Sequence, residues 1–82
     1  NGDYFFFVSN VEKNISESWI WSKAQRRWQK IQTPQPSPRT DASIVCDPTR
    51  NCIVLFGGQK GIEAVNELWE FSCVEKEWRQ VF

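Results

Sequence analysis

An all-β chain of antiparallel, four-stranded sheets is what this sequence predicts, and three observations predict it. Short apolar segments rich in aromatic and β-branched residues recur along it, one segment pattern returns after 50 residues, and no stretch sustains a helical period. The 82 residues suffice for one small domain, and 40% hydrophobic with 15% aromatic content, including five tryptophans, is too apolar for a disordered chain.

The repeat is seen by placing SWIWSKAQRRWQKI (18 to 31) above LWEFSCVEKEWRQV (68 to 81). Trp19 meets Trp69, Trp21 meets Phe71, Ser22 meets Ser72, Trp28 meets Trp78 and Ile31 meets Val81, all at an offset of 50. The same offset sets Glu17 on Glu67 and Phe6 on Phe56. Tryptophan is rare, so two such matches in one ungapped register mark about one and a half copies of one unit.

Each element follows in order. YFFFV (4 to 8) is a short aromatic strand, SWIWS alternates so that Trp19 and Trp21 share a face, and RWQKIQ is an amphipathic strand. IQTPQPSPRTD (31 to 41) is too proline-rich to form a ladder and should cross to a second sheet. ASIVC (42 to 46) and CIVLFG (52 to 57) flank Asp47-Pro48-Thr49-Arg50-Asn51, with proline at a turn's second position. ELWEFS and EWRQVF complete the unit. Seven strands result: three in residues 4 to 32, and four in meander order, named a to d, in residues 40 to 82. The two sheets should pack face to face, with Trp19, Trp21, Trp28, Phe56, Trp69, Phe71 and Trp78 among the most buried residues. The longest connections are 9 to 17, 58 to 66 and 32 to 41, and all three emerge at one end.

Charge and composition remove several functions. The net charge is zero, with no general pull toward nucleic acid or anionic membrane, although residues 1 to 40 carry about +3 and residues 41 to 82 about −3. No apolar run approaches the length of a membrane span, and the opening residues show no signal-peptide pattern. Methionine is absent, so the chain is expected to be a segment of a longer product. The absence of histidine excludes a histidine-based triad or metal site within it. Cys46, Cys52 and Cys73 lack metal-ligand spacing and read as free thiols in a reducing, intracellular compartment, although Cys46 and Cys52 could also face each other as a disulfide across a hairpin. Asn14-Ile15-Ser16 fits an N-glycosylation triplet that chance often produces.

IVLFGGQKG (53 to 61) poses a choice between a phosphate loop and a strand exit. A phosphate loop needs GxxxxGK[ST] opening a helix, and QKGIEAVN supplies neither, so the glycines are architecture. KAQRRWQK (23 to 30) has the composition of a nucleic-acid surface, but its counterpart CVEKEWRQ reverses the charge. A solvated turn guarding an edge strand accounts for both. Ser37-Pro38-Arg39 reads as a connection between sheets rather than a phosphorylation site, and no two glutamates are spaced as an acid and base pair.

Phe56-Gly57-Gly58, Asn66-Glu67-Leu68-Trp69 and Trp78, with Pro38-Arg39 and Asp47…Arg50 ahead of them, resemble the kelch repeat of kelch and galactose-oxidase-type β-propellers. The resemblance covers residues 38 to 82 well and 4 to 31 less well, where Phe7-Val8 stands in place of the glycine pair. It implies a partial propeller: a partial blade with strands b, c and d at 1–32, a connection at 33–39, and a complete blade at 40–82. It further implies a non-catalytic protein-interaction module, a scaffold that presents its b–c and d–a loops to a protein partner, with no catalytic, metal or cofactor residue. Further blades would come from the same protein or from other copies. Lys13, Lys60 and Glu63, at loop tips without packing duty, and Arg39 are the expected partner-binding residues; for Arg39 the competing role is a structural hydrogen bond to a neighbouring blade. The alternative is that these are structural blades of an oxidase or sugar-acting propeller enzyme whose active residues lie outside the chain.

Overall fold

The computed structural model describes residues 3–82, so the first two residues of the expected 1–32 unit lie outside it. Strands β1 (Tyr4–Asn10), β2 (Ile15–Ser22) and β3 (Arg27–Lys30) form an antiparallel sheet in that order. Strands β4 (Ser43–Asp47), β5 (Cys52–Phe56), β8 (Leu68–Ser72) and β9 (Glu77–Gln80) form a four-stranded antiparallel sheet in meander order. Two strands beyond the seven expected, β6 (Gln59–Lys60) and β7 (Glu63–Ala64), make a small ribbon inside the connection from β5 to β8.

One turn chemistry builds the four hairpins β1–β2, β2–β3, β4–β5 and β8–β9. Asn10, Ser22, Asp47 and Ser72 each accept a hydrogen bond from the backbone N–H three residues on, at 3.1, 3.2, 3.3 and 3.0 Å. The next residue, Asn14, Arg26, Asn51 or Lys76, then takes a left-handed φ between 52° and 59°. Short polar side chains at the first position hold such turns, and the left-handed residue restores the twist of the paired strands. The Ser22–Ser72 match of the repeat is therefore a turn requirement.

The proline-rich connection carries the chain between sheets and is itself bonded into them. Ile31 N–H donates to Ser18 O at 2.9 Å, and Thr33 Oγ1 donates to Lys76 O at 3.3 Å. Gln35 accepts from the hydroxyl of Ser18 and donates to Ile31 O and Thr33 O. Ser18, fully buried, also accepts from Trp78 Nε1 at 2.8 Å, so one hydroxyl ties both sheets and the connection. The core lies between the sheets: Ile31, Ile53 and Phe71 with Phe5, Ile20, Cys73 and Trp78 around them. Phe5 lies 4.9 Å from Phe71 and 5.9 Å from Trp78 between ring centroids, and Phe7 lies 5.6 Å from Trp78.

The pairing refines three expectations. Trp19 pairs with Phe6, whereas Trp69 pairs with Leu55, so the counterpart of Phe6 is Leu55 and strand b repeats at 49 residues. The extra residue sits in the β5–β8 connection, where insertions are absorbed, and the positions matching Gly57-Gly58 are Val8-Ser9. The first hairpin is also tighter than residues 9 to 17 suggest, because Val8, Ser9 and Asn10 pair with Glu17, Ser16 and Ile15, leaving a turn of residues 11 to 14. Burial is the third. Phe71 is fully buried, Trp19, Trp21, Trp69 and Trp78 are partly buried, and Trp28 and Phe56 are 49% and 50% exposed. These last two lie on the outward faces of their sheets.

The three cysteines are free. Cys46 pairs with Ile53 and Cys52 with Asp47, so Cys46 and Cys52 point to opposite faces rather than at each other. Burial pushes the Cys52 and Cys73 thiols above their ordinary value, which keeps them protonated.

Candidate functional site

The end of the molecule carrying the β1–β2 turn, the β5–β8 connection and the connection into β4 is fastened by a buried arginine. Arg39 has no side-chain exposure. Its Nε donates to Ser37 O at 3.0 Å, Nη1 to Gly57 O at 3.3 Å, and Nη2 to Ser37 Oγ at 3.2 Å and Glu67 Oε1 at 2.9 Å. Its backbone N–H donates to Ser9 Oγ of the first sheet at 2.6 Å. The same residue thus ties its own connection and the β5–β8 connection to strand β1, and it does so within this chain.

Glu67 anchors that arrangement. Its Oε1 also accepts from Trp69 Nε1 at 2.9 Å, and these bonds, Trp69's first and then Arg39's, hold the carboxyl below its ordinary value. The first repeat echoes the pair: Trp19 Nε1 donates to Glu17 Oε1 at 3.1 Å, and Lys30 stands 3.3 Å from Glu17. Trp19's bond and then that of Lys30 depress Glu17 likewise. The Glu17–Glu67 match in the sequence was therefore a signal for a Glu-x-Trp pair, although the residues alone did not connect it to Arg39.

The glycine pair makes the arginine's approach possible. Gly57 and Gly58 have φ of 76° and 104°, and a Cβ on Gly58 would stand 2.9 Å from Thr40 O and 3.1 Å from the Arg39 stem. Gly57 N–H donates to Glu67 O at 3.0 Å, and Val65 N–H to Gly58 O at 2.9 Å. Thr40 and Gln59 exchange backbone bonds of 2.9 and 2.8 Å, joining the connection into β4 to the β6–β7 ribbon. Gly58→Ala is expected to cost about 2 kcal/mol or more, because strain at this φ adds to a clash with backbone. At Gly61, with φ of 65° and nothing within 4 Å of the added Cβ, alanine should cost only about 1 kcal/mol. Urea midpoints of the two variants check the difference.

On this fastened base the remaining expected residues are free at the surface. Lys13 lies in the β1–β2 turn, and Lys60 and Glu63 face each other across the β6–β7 ladder; all three are exposed. A cleft beside them is lined by Lys60, Glu63, Val65, Asn66 and Glu67. The structure thus separates the expected set into three mobile-length charged side chains outside and Arg39 within. Among the described residues, no group of three His, Cys, Asp or Glu side chains is arranged to hold a metal.

A second charged cluster lies on the outward face of the second sheet. Arg50 bonds Glu70, and Arg79 Nη2 reaches Glu70 Oε1 at 3.1 Å. The bond from Arg50, and then that from Arg79, lowers the Glu70 carboxyl.

Antiparallel sheets repeated along one chain, with a Glu-x-Trp pair at strand c of each and a glycine pair ending strand b of the second, mark a β-repeat protein. The kelch-motif family model matches residues 38–81, more than half of the chain, and the chain belongs to the kelch-repeat family. No curated protein matches it.

Proposed function

We propose that the chain is a non-catalytic protein-interaction module, part of a kelch-type β-propeller that presents the β1–β2 turn, the β5–β8 connection and the connection into β4 to a protein partner. The observation that carries this reading is the contrast at one end of the molecule. The backbone of the loops is fixed by Arg39, Glu67 and the Thr40–Gln59 bonds, while Lys13, Lys60 and Glu63 are left exposed above it. A rigid base with free, variable tips limits the ordering cost of binding and leaves specificity to the tips. Kelch membership supports the reading as a family resemblance in use, and an intracellular location accompanies it through the free thiols.

Charge reversal tests it. Lys13→Glu with Lys60→Glu is expected to weaken a partner first recovered by pull-down, then purified and titrated, by about tenfold or more. Lys23→Glu with Arg26→Glu, in the turn at the opposite end, should leave the titration unchanged. Loss of binding with the second pair alone would place the partner at the wrong end for this proposal.

A further inference from the structure

The repeat says what each sheet face is built to meet. In the second sheet, Ile53, Leu55, Trp69, Phe71 and Trp78 share one face by their pairing. That face is laid on Phe5, Phe7, Ser18 and Ile20 of the first sheet. Stepping back 49 residues in strand b, and 50 in strands c and d, gives Tyr4, Phe6, Trp19, Trp21 and Trp28 on one face of the first sheet. Every one is apolar or aromatic, and no described residue closes over this face: Tyr4, Phe6 and Trp28 are 59%, 47% and 49% exposed. Phe6, Val8, Trp19 and Trp28 line a groove of about 450 Å³ there.

The reverse mapping gives the matching surface. The positions of Phe5, Phe7, Ser18, Ile20 and Ile31 become Val54, Phe56, Leu68, Glu70 and Val81, on the outward face of the second sheet. Phe56 and Val81 are half exposed. One contact between repeats is therefore made inside the chain, and both halves of the next one stand open.

We infer that a second copy of this chain docks head to tail, the open face of its β1–β3 sheet seated on the outward face of the β4–β5–β8–β9 sheet of the first. Three features of the surfaces favour this occupant. The contact continues one already formed, with the same polarity of faces. The two halves are opposite in overall charge, residues 1 to 40 at about +3 and residues 41 to 82 at about −3, which favours head-to-tail over like-to-like approach. The polar groups match too. The indole N–H groups of Trp21 and Trp28 have no hydrogen-bond partner among the described residues, whereas the other indoles with such bonds use Glu17, Glu67 and Ser18. Trp21, at the position of Phe71, comes over Val54 and Glu70, where a carboxylate stands in the place of Ile20. Arg50 and Arg79, which hold Glu70, are then placed to stack on indole faces. Such a contact is heterologous, so each copy keeps one face of each kind, and growth closes into a ring where the rotation permits.

The inference rests on the repeat register and not on the loop-end reading, so either can fail alone. Its test is sedimentation velocity of the 82-residue chain over a concentration series, with Trp28→Arg and Phe56→Arg as variants. The wild type is expected to associate. Each variant alone should be monomeric, and an equal mixture should give a 1:1 dimer and nothing larger, because each copy retains one intact face. Tyr4→Lys and Val45→Lys, at positions 59% and 60% exposed, repeat the test should either arginine variant lose its circular dichroism spectrum. Open-ended growth of the wild type, abolished by either substitution, supports the same contact without closure. A wild type that stays monomeric throughout overturns the inference, as does a Phe56→Arg chain that still dimerises or a mixture that fails to pair.

Discussion

Phe71→Ala is expected to cost about 3–5 kcal/mol and to leave the chain largely unfolded at room temperature. The side chain is fully buried, and its ring stands 4.9 Å from Phe5 and 5.4 Å from Trp78. It therefore joins the second sheet to the first as well as filling the second. Truncation removes a large apolar surface from the core and opens a cavity between two sheets that the Ser18 and Gln35 bonds prevent from collapsing together. A domain of this size has about 5 kcal/mol or little more to lose. Phe82→Ala, at a position 72% exposed, makes the same chemical change and should cost less than about 1 kcal/mol. Urea titrations followed by tryptophan fluorescence measure both. Comparable losses at the two positions would mean that the inter-sheet face has been misassigned.

The contrast between Phe71 and Phe56 also shows how far the sequence could be read. Alternation gave the strands, the offset of 50 gave the repeat, and Asp47-Pro48 gave the turn of the β4–β5 hairpin. The strands and turns are local properties, set by sterics and side-chain bonding within a few residues, and the repeat is the same local pattern met twice. Burial is not local. Phe56 and Trp28 sit on strands as apolar as their neighbours, yet point away from the single inter-sheet contact that 82 residues can build. An ungapped comparison likewise could not see that strand b runs at 49, because one residue in the β5–β8 connection alters which face Phe56 occupies.

At the candidate site the legible part was chemical type and place along the chain. Lys13 falls in the β1–β2 turn, whose place the flanking strands dictate, whereas Lys60 and Glu63 fall in the exposed β6–β7 ribbon, which the connection's residues did not reveal. Arg39 differs because its surroundings come from distant segments: Ser9, Gly57 and Glu67 lie 30, 18 and 28 residues away. Nothing in Ser37-Pro38-Arg39 alone distinguishes an arginine reaching outward from one folded back on the loops. The glycine pair carried a hint, since two adjacent residues free of a Cβ leave space that a long side chain can fill.

Arg39→Ala is the second variant with a large expected effect, roughly 3 kcal/mol, at the low end for a broken buried ion pair because Glu67 keeps 31% side-chain exposure. The loss includes the acceptors left behind: Gly57 O and Ser37 O lose their charged donor in a site that the loops close over. The pair should also show itself in the pH dependence of stability. Glu67 has a folded-state pKa depressed below its ordinary value of 4.5, through Trp69 first and Arg39 second. Its contribution is therefore fully present above the ordinary value and is lost as the pH falls through the folded one. Glu17 and Glu70 are depressed as well and act in the same direction, so the wild-type slope alone does not isolate Glu67. The comparison needed is the urea midpoint of wild type and Glu67→Gln from neutral pH down into acid. The two should differ clearly at neutral pH and draw together as the pH falls through the folded-state pKa of Glu67. An Arg39→Ala chain as stable as the wild type would instead free this guanidinium from its structural duty and return it to the partner-facing residues at the loop end.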